Sequence, residues 1–431
     1  MLPMIQGTEH EYTLYHRRLQ EQGVDPHTVG LRLLRESDLH AAGEFTTNQS
    51  RAYYDVGHLE ISTPEVTNAI DLVVWEKAGE KIVDWLRKVI EERYLSAGER
   101  LLALKNNTAP DGTSYGSHEN YCVPRSLPFP DAYVRGLVPH FVSRMIYTGA
   151  GDLLDGRYVL SPSLYKTSVM VSGNTMHGTG LLNTRDEPHA APERWRRLHV
   201  LVGDALMSEP AILLRHFTTQ GILQLLAEGK LEDAPQLRQP LEDMWTIVEH
   251  TNPERWCFDL VGGGTISPIA VQRYYLAKVE TLVNEPWERQ TLQRWERVLD
   301  LLEARATHKL ARCVEWVDRY IAIGEAVASF PDDPEMAMKA AKQYSEVGAD
   351  RSIFYQRQAD GLIDRIIDDE QIIHAIHHPP HDTRAALRAR LCALHEVTGI
   401  DWARLTHKVD GELQRLVLDD PWATELPAGG D

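Results

Sequence analysis

Two glutamates stand two positions apart close to the start of the chain, within the run Gly-Thr-Glu-His-Glu-Tyr. If this run is a strand, Glu9 and Glu11 project side by side from one face, because side chains alternate with a period of two. Adjacent carboxylates repel each other unless a cation lies between them or water surrounds both. The pair therefore predicts either a cation site or the solvated face of an edge strand.

A second polar pattern precedes the first long helical pattern of the sequence. On a strand, Arg51, Tyr53 and Asp55 share one face, and the residues between them are apolar or aromatic. Glu60 has the wrong parity to join Asp55 on a straight strand. A bulge or bend at Gly57 would correct the parity, because glycine tolerates the backbone conformation required. The pattern predicts a strand that faces a site, or an amphipathic strand whose charged face meets water.

Two further segments concentrate Asn, Arg, His and acidic side chains without helical spacing. They are residues 105–121, which contain Lys-Asn-Asn and Tyr-Gly-Ser-His-Glu-Asn-Tyr, and residues 183–189, Asn-Thr-Arg-Asp-Glu-Pro-His. Oxygen ligands with one or two histidines suit Mg²⁺ or Mn²⁺, whereas zinc sites usually add cysteine or more histidine. No P-loop motif occurs. The four segments predict an enzyme with a carboxylate-bound divalent cation that acts on a charged substrate, such as nucleotide phosphates.

The composition excludes several classes of protein. The 431 residues include 45 Lys and Arg against 63 Asp and Glu, a net charge of −18, and 43% are hydrophobic. An acidic surface disfavours nucleic acid as a partner, and no apolar run reaches the ~18 residues of a membrane span. The four cysteines form no Cys-x-x-Cys pair, and the N-terminus lacks the basic and apolar regions of a signal peptide. We expect a cytoplasmic protein that binds neither nucleic acid nor membrane.

The elements that position these residues are predicted to form an α+β fold. Strand-like runs cover residues 4–12, 51–61 and 101–105. A helix follows the second run, with Thr63 as its predicted N-cap and Pro64 at its first position. Mainly helical patterns follow from residue 192 onward, over residues 195–214, 286–328 and 383–397. The predicted architecture is a shell of helices around a mixed sheet.

The four segments resemble, in order and spacing, the family of Pup ligases and Pup deamidases/depupylases, which are relatives of glutamine synthetase. The shared motifs are Gly-x-Glu-x-Glu-Tyr, Arg-x-Tyr-x-Asp ahead of an acidic residue and Thr-Pro-Glu, Lys-Asn-Asn with Tyr-Gly-x-His-Glu-Asn-Tyr, and Asn-Thr-Arg-Asp-Glu-Pro-His. Weaker matches extend the resemblance over residues 5–405. It implies a glutamine-synthetase-like antiparallel sheet cradled by helices in residues 1–380, and a small C-terminal domain in residues 381–431.

The resemblance also implies roles for individual residues. Asp55 matches the catalytic aspartate, and Arg185 is expected to face the charge that develops during phosphoryl transfer. The expected contacts to ATP or ADP are Arg51, Thr63 and Trp402. The expected ligands of Mg²⁺, with Mn²⁺ as an alternative, are Glu9, Glu11, Tyr53, Glu60, His118 and His189.

The implied substrate is the C-terminal Gln or Glu side chain of a small acidic protein modifier, Pup or Pup-like, and its conjugates. In the ligases ATP phosphorylates the carboxylate and a lysine amine then attacks, whereas in the hydrolases the same aspartate assists cleavage of the amide. Local motifs at residues 74–79, 116–119, 142–144 and 343–345 favour the deamidase/depupylase. However, only 39 residues separate Glu11 from Arg51, where the hydrolases carry a long extra loop, and this favours the ligase.

A divergent member acting on a different carboxylate is a third possibility, because Ser-Pro-Ser at residues 161–163 stands where the family carries Ser-Gln-Arg. An acidic modifier also needs a basic surface on this acidic protein. Arg194, Arg196 and Arg197 are one candidate wall of such a groove.

Overall fold

The computed structural model describes residues 1–108, 115–175 and 178–426. The strands within these ranges are β1 (Gln6–Tyr15), β2 (His40–Ala42), β3 (Phe45–Thr46), β4 (Arg51–Asp55), β5 (His58–Ser62), β6 (Leu102–Leu104), β7 (Ser117–Pro124), β8 (Asp152–Leu154), β9 (Arg157–Val159), β10 (Thr167–Ser172), β11 (Thr179–Asn183), β12 (Trp195–Val200), β13 (Phe258–Asp259), β14 (Thr265–Ile266), β15 (Glu396–Asp401), β16 (Arg404–Val409) and β17 (Glu412–Val417).

The α-helices in the same ranges are α1 (Arg17–Glu21), α2 (Pro26–Arg35), α3 (Ala69–Tyr94), α4 (Asp131–Ser143), α5 (Met145–Thr148), α6 (Glu209–Ala227), α7 (Pro240–Glu249), α8 (Pro268–Glu280), α9 (Pro286–Glu303), α10 (Thr307–Leu310), α11 (Glu315–Ser329), α12 (Met336–Tyr344), α13 (Ile353–Ala359), α14 (Asp369–His377) and α15 (Arg384–Leu394). Short 3₁₀ helices cover Ser163–Lys166 and Pro253–Arg255. Among the described residues, no helix is both long enough and apolar enough to span a membrane.

The main sheet has the strand order β12-β7-β1-β5-β4-β3-β2, and β6 pairs with the end of β1. Its described pairings are antiparallel, whereas β10 and β11 pair in parallel in a separate two-stranded sheet. Helices α3 and α6 pack together under this sheet. The predicted α+β class is confirmed, with an antiparallel rather than a mixed main sheet.

Strand β1 separates two kinds of side chain along its length. His10 and Tyr12 are buried on the side of α3, while Glu9 and Glu11 lie partly exposed on the other side. Because β5 and β7 pair with β1 in regular register, the strands on both sides continue this division. We call the side of the sheet that carries Glu9 the upper face.

Residues 51–61, predicted as one strand, form two. Strands β4 and β5 are joined at Val56 and Gly57, whose φ angles are 41° and 101°, and positive φ values are what a two-residue hairpin requires. The single-strand prediction is therefore wrong, although the turn falls at the predicted glycine. The hairpin pairs Tyr53 with Glu60. As a result Asp55, Tyr53 and Glu60 all share the upper face, as the parity argument requires.

The first long helix begins later than predicted. Its N-cap is Asn68, whose side chain accepts a hydrogen bond from the backbone N–H of Asp71. The Thr63 hydroxyl instead accepts a hydrogen bond from the backbone N–H of Thr8 at 3.0 Å, and the chain continues alongside β1 as far as Val66. Prediction of Thr63 as an N-cap is wrong because backbone pairing with β1 keeps this segment extended.

Residues 195–214 were predicted as one helix, but their first part is strand β12. Its residues pair antiparallel with β7, and helix α6 begins only at Glu209. Tertiary pairing overrides the apparent helical pattern here. The predicted helix over residues 286–328 divides into α9, α10 and α11.

After α15 the chain forms the small antiparallel sheet β15-β16-β17. Leu387 and Leu391 of α15 pack with Leu405 and Leu418 in a core of their own. A domain boundary at residue 380 stays a prediction.

A buried cluster of charges lies under the sheet and joins α3 to it. The Lys105 ammonium donates hydrogen bonds to Glu76 at 2.7 Å, to Glu80 at 2.8 Å and to the backbone oxygen of Leu206 at 2.7 Å. His10 of β1 lies 3.1 Å from the Glu76 carboxylate. Each of these charged side chains is buried, so the cluster holds α3, β1 and the segment before α6 in one arrangement.

Replacing Lys105 by methionine should destabilise the fold strongly. The change leaves the buried Glu76 and Glu80 carboxylates without their shared cation, a loss that typically costs about 3–5 kcal/mol. The free energy of unfolding from urea titration checks this. Lys339→Met removes an exposed ion pair and should leave the free energy of unfolding unchanged. Equal losses of stability in both variants would contradict the prediction that the buried cluster stabilises the fold.

Candidate active site

Three carboxylates meet on the upper face. Ligand atoms of Glu11, Asp55 and Glu60 all lie within 4.8 Å of one another, and we call these residues the carboxylate cluster. The Tyr53 hydroxyl donates a hydrogen bond to Glu60. The hairpin of β4 and β5 brings Asp55 and Glu60 together, and the pairing of β5 with β1 places Glu60 beside Glu11.

Glu11 is held from two sides. The backbone N–H of Gly116 donates to its Oε1 at 2.9 Å, and Nδ1 of His58 lies 2.8 Å from its Oε2. The His58 ring in turn meets the Tyr115 ring edge to face, with centroids 4.4 Å apart. These contacts fix the direction in which the Glu11 carboxylate points.

A second group, the histidine cluster, consists of Glu9, His118 and His199, whose ligand atoms also lie within 4.8 Å of one another. Oε2 of Glu9 lies 3.5 Å from Nδ1 of His118 and 3.5 Å from Nε2 of His199. The Arg197 guanidinium lies 3.5 Å from the other carboxylate oxygen. The residues come from β1, β7 and β12, which are neighbours in the sheet.

The proximity of these groups shifts their protonation equilibria. Burial and the charge of Glu9 raise the pKa of Glu60 to about 9, and burial with the charges of Glu11 and Glu9 raises the pKa of Asp55. Burial alone would raise the pKa of Glu9, but contacts with His118 and His199 hold it well below its usual range. Burial lowers the pKa of His199 to about 4. Without a cation, the carboxylate cluster therefore retains a proton at neutral pH.

Cavity A opens beside the histidine cluster. Its lining includes Glu9, Thr63 and Arg197 from the sheet region and Trp402 from the C-terminal segment. The Trp402 ring meets Phe45 edge to face at 5.1 Å. In such a cavity the indole ring of Trp402 can contact an aromatic base, and the Arg197 guanidinium can contact phosphate groups.

One carboxylate attaches the C-terminal segment to cavity A. Glu65, which lines the cavity, accepts from Arg384 at 2.6 Å and from Arg388 through both oxygens at 2.8 Å. The buried Arg388 guanidinium lies against both aromatic rings, 5.1 Å from the centroid of Phe45 and 5.2 Å from that of Trp402, and donates a hydrogen bond to the backbone oxygen of Trp402 at 3.0 Å. Arg388 therefore holds Trp402 in position while it is itself held by Glu65.

Cavity B, of about 480 Å³, opens at the other end of the same face. Glu11, Asp55 and His118 line it, together with Lys166 and residues around β10 and β11. The two cavities lie on either side of the two clusters, since Glu9 lines cavity A and Glu11 lines cavity B. Groups bound in the two cavities would meet at the clusters.

Three residues expected at the site lie apart from the clusters. His189 lines cavity A and has φ = 47°, but it belongs to neither metal cluster. Arg185 is half exposed and pairs with Glu187 at 3.0 Å. Arg51 pairs with Glu44 at 2.8 Å and stacks on Tyr53. The roles assigned to His189, Arg185 and Arg51 stay predictions.

Sequence reasoning missed several residues of the site: His58, Glu65, Gly116, His199, Arg384 and Arg388. Only His199 had a usable signal, because Arg197 and His199 share one face if residues 195–200 form a strand. The partners of Glu65 lie over 300 positions away in the chain, and no local pattern reveals them.

The arginines proposed as one basic wall are divided between two surfaces. Arg197 faces Glu9 on the upper face, whereas Arg196, its neighbour on β12, pairs with Asp186 at 3.1 Å. Arg194 lies over the Trp195 ring. The prediction of one continuous basic wall is therefore wrong, because successive residues of a strand point to opposite faces of the sheet.

The donor sets fit the cofactors that the sequence implies. Three carboxylates at such close range repel one another and suit a divalent cation with oxygen ligands, such as Mg²⁺. Nε2 of the buried His199 is directed at the Glu9 carboxylate, an arrangement in which both groups can share one metal ion. Cavity A combines an indole with polar groups, which fits a nucleotide.

Comparison with known proteins gives consistent relatives. Residues 5–406 match the family described as Pup-ligase protein. A depupylase from Acidothermus cellulolyticus is 36% identical over 409 positions, covering 90% of this chain and 80% of that protein. A Pup–protein ligase from Acidimicrobium ferrooxidans is 35% identical over 441 positions, covering 98% of this chain and 96% of the ligase.

Two solved structures share the fold along nearly the whole chain. The complex between the prokaryotic ubiquitin-like protein Pup and its ligase PafA is similar with a TM-score of 0.84 at 27% identity, covering 98% of this chain and 90% of the other. The complex of the Pup ligase PafA with ADP gives a TM-score of 0.79 at 27% identity, covering 93% and 91%.

Replacing Gly116 by alanine should weaken divalent cation binding. A Cβ at this position would lie 2.6 Å from Oε1 of Glu11, so the flexible carboxylate must turn away while the backbone stays in place. Loss of such a supporting contact typically costs about 10- to 100-fold in metal affinity. Electron paramagnetic resonance of Mn²⁺ binding measures it. Gly324→Ala, with open space around it, is the matched control, and equal affinities in the two variants would contradict the prediction.

Replacing Glu65 by glutamine should destabilise the protein in a pH-dependent way. Burial opposes ionisation, but Arg388 and Arg384 hold the pKa of Glu65 well below its usual range. A depressed pKa contributes its full stability above the unfolded value of about 4.3, and this contribution is lost progressively as the pH falls from there towards the lowered pKa of the folded state. At pH 7 the deficit should be about 3–5 kcal/mol.

Urea unfolding of wild type and Glu65→Gln at pH 7 and pH 3 measures the effect, and the deficit should shrink at the lower pH. The exposed Glu335→Gln variant is the control and should match wild type at both pH values. A deficit of constant size across this range would show that the ion pairs are not its source.

Proposed function

The chain belongs to the Pup-ligase family, and on this basis we propose that it is an ATP- or ADP- and Mg²⁺-dependent enzyme of Pup modification. It acts at the C-terminal Gln or Glu of Pup or a Pup-like modifier and on its conjugates. The leading reaction is hydrolysis of the side-chain amide or isopeptide bond at that residue. The PafA complexes with Pup and with ADP support both the modifier and the nucleotide.

The observation that carries this proposal is the common upper face, with two cavities separated by the two acidic clusters. A nucleotide in cavity A brings its phosphates towards Glu9 and Arg197. A modifier terminus entering through cavity B meets Asp55 and Glu11. The scissile bond and the phosphates then approach each other over the carboxylates, an arrangement that serves transfer chemistry at a carboxyl carbon.

Within this arrangement Asp55 is the general base. It lies at the end of β4, lines cavity B and is only partly buried, so water or a lysine amine can reach it. Its raised pKa brings it closer to the range in which a carboxylate exchanges protons efficiently. In hydrolysis Asp55 takes a proton from the water as its oxygen bonds to the carbonyl carbon, and returns that proton to the nitrogen as the carbon–nitrogen bond breaks.

Glu11 and Glu60 hold the cation, and Tyr53 orients Glu60 through its hydroxyl. Bound there, a divalent cation would supply positive charge against the phosphates and the developing oxyanion. Thr63 and Trp402 hold the nucleotide in cavity A. Arg185 serves the reaction only if it turns away from Glu187, its partner in the structure.

Hydrolysis is the leading reaction because the local motifs at residues 74–79, 116–119, 142–144 and 343–345 resemble the deamidase/depupylase, and because the depupylase relative is 36% identical. A specific observation favours ligation as the second candidate. The chain is short between Glu11 and Arg51, and it covers 96% of the ligase relative but 80% of the depupylase. Ligation would use the same residues, with phosphorylation of the carboxylate before the amine attacks.

Mass spectrometry distinguishes the two reactions. The protein is incubated with Mg²⁺, ATP and lysine, and with a Pup-like acidic polypeptide ending in Gln, one ending in Glu, or an isopeptide conjugate. Hydrolysis converts Gln to Glu and releases the amine from the conjugate. Ligation joins lysine to the Glu-ended polypeptide with matched ATP turnover, and would overturn hydrolysis in favour of the second candidate.

Asp55→Asn is the test of mechanism in the same assay. It should lower either activity by about 100-fold or more, since positioned proton transfer contributes about 10²–10⁴-fold, while the melting temperature stays near that of wild type. Asp333→Asn, a change at an exposed ion pair with Lys339 that lines neither cavity, is the control. Full activity of Asp55→Asn would remove this residue from the mechanism.

A further inference from the structure

In the described part of the chain, three two-residue hairpin turns share one backbone conformation, with φ positive at both residues. They are Val56-Gly57 (41° and 101°), Asp155-Gly156 (49° and 73°) and Asp410-Gly411 (52° and 87°). Each turn joins two strands that pair antiparallel directly across it. Positive φ at both positions is the mark of a type I′ turn, for which Asn-Gly and Asp-Gly are the preferred sequences.

The turn after β4 departs from this preference. Its first residue is Val56, where the other two turns have aspartate, whose short polar side chain tolerates the left-handed conformation. Val56 is the one β-branched residue with positive φ among the described residues, and a β-branched side chain is strained there. Strain of this kind is concentrated at functional sites, where the side chain has a role beyond stability.

The position of Val56 points to such a role. It follows Asp55 directly, lines cavity B and is 63% exposed. The other branched aliphatic residue of the described lining, Leu201, is half-buried. The opening of this largely polar cavity therefore offers an accessible apolar side chain next to the proposed general base.

The proposed reaction identifies the group that would meet this side chain. Asp55 exchanges a proton with the amine nitrogen, so that nitrogen must come within hydrogen-bond distance of the carboxylate. In a conjugate the nitrogen ends the four-methylene stem of a lysine, and the protein that carries this lysine is too large to enter a cavity of about 480 Å³. The stem must therefore run outward from Asp55 through the opening of the cavity, where Val56 lies.

We propose that Val56 packs against the methylene stem of the lysine that is joined to the modifier. The contact favours a lysine amide over the primary amide of a terminal Gln, because ammonia has no methylene group to bury. This inference rests on the proposed function for the reaction, whereas the strain at Val56 is a property of the hairpin itself. Valine at this position thus gives up stability of the turn in exchange for recognition of the amine.

Val56→Asn should change stability and selectivity in opposite directions. Because Asn-Gly is a preferred type I′ sequence, the melting temperature should rise, by roughly 1–2 °C for a chain of this size. The ratio of kcat/KM for an isopeptide conjugate to kcat/KM for the same modifier ending in Gln should fall by about 10-fold, since the apolar contact with the stem is lost. Differential scanning calorimetry and mass spectrometry of the products measure the two effects.

Asp155→Val is the matched control, because it places valine at the same position of another turn, exposed and outside both cavities. It should lower the melting temperature by a similar amount and leave the ratio at its wild-type value. Val56→Ile keeps a β-branched apolar side chain and should also keep the ratio. A wild-type ratio in Val56→Asn would overturn the proposal, as would a melting temperature that does not rise.

If the reaction is ligation, the ratio is measured with lysine and ammonia as competing amines on the modifier ending in Glu. Wild type that converts none of these substrates loses the proposed function, and the contact with it. Wild type that converts both members of a pair, with a ratio that Val56→Asn leaves unchanged, keeps the function and loses the contact. The two failures are therefore distinguishable in one assay.

Discussion

The register of β1 against β5 and β7 is the constraint on which the rest of the structure depends. With Glu9 opposite Ser62 on one side and His118 on the other, all ligands of both clusters project from a single face. A slip of one residue would reverse every side chain. It would direct Glu9 and Glu11 at α3, where the ion cluster around Lys105 already fills the space.

Charge therefore lies on both faces of the same sheet, and the two faces handle it differently. Beneath the sheet Glu76 and Glu80 both contact the Lys105 ammonium, so their charges are balanced from within the chain. The carboxylate cluster of Glu11, Asp55 and Glu60 on the upper face, in contrast, includes no positively charged residue. The protein thus keeps one face balanced by its own residues and leaves the other to be balanced by what it binds.

Period-two alternation was enough to predict that Glu9 and Glu11 share one face of their strand, and that Tyr53 and Asp55 share one face of theirs. That both pairs lie on the same face of the sheet depends on the pairing of β5 with β1 and with β4, which alternation within one strand does not reveal. Alternation also could not find His199, since residues 195–214 carry enough apolar spacing to suggest a helix, and only pairing with β7 makes them extended. Glu76 and Glu80 have the spacing of a solvated helix face, and their burial depends on a partner 25 or more positions away. Long-range ion pairs of this kind leave no local pattern in the sequence.

The attachment of Trp402 to cavity A through Arg388 and Glu65 joins two equilibria. A molecule that fills cavity A in contact with Trp402 binds the docked form of the C-terminal segment and not the detached form, so occupancy and docking stabilise each other by mass action. Loosening of α15 would then be masked when the cavity is saturated and exposed when it is empty. The docking of α15 and Trp402 is in that sense part of the ligand's binding energy, and the stability of this segment is a property of the complex rather than of the polypeptide alone.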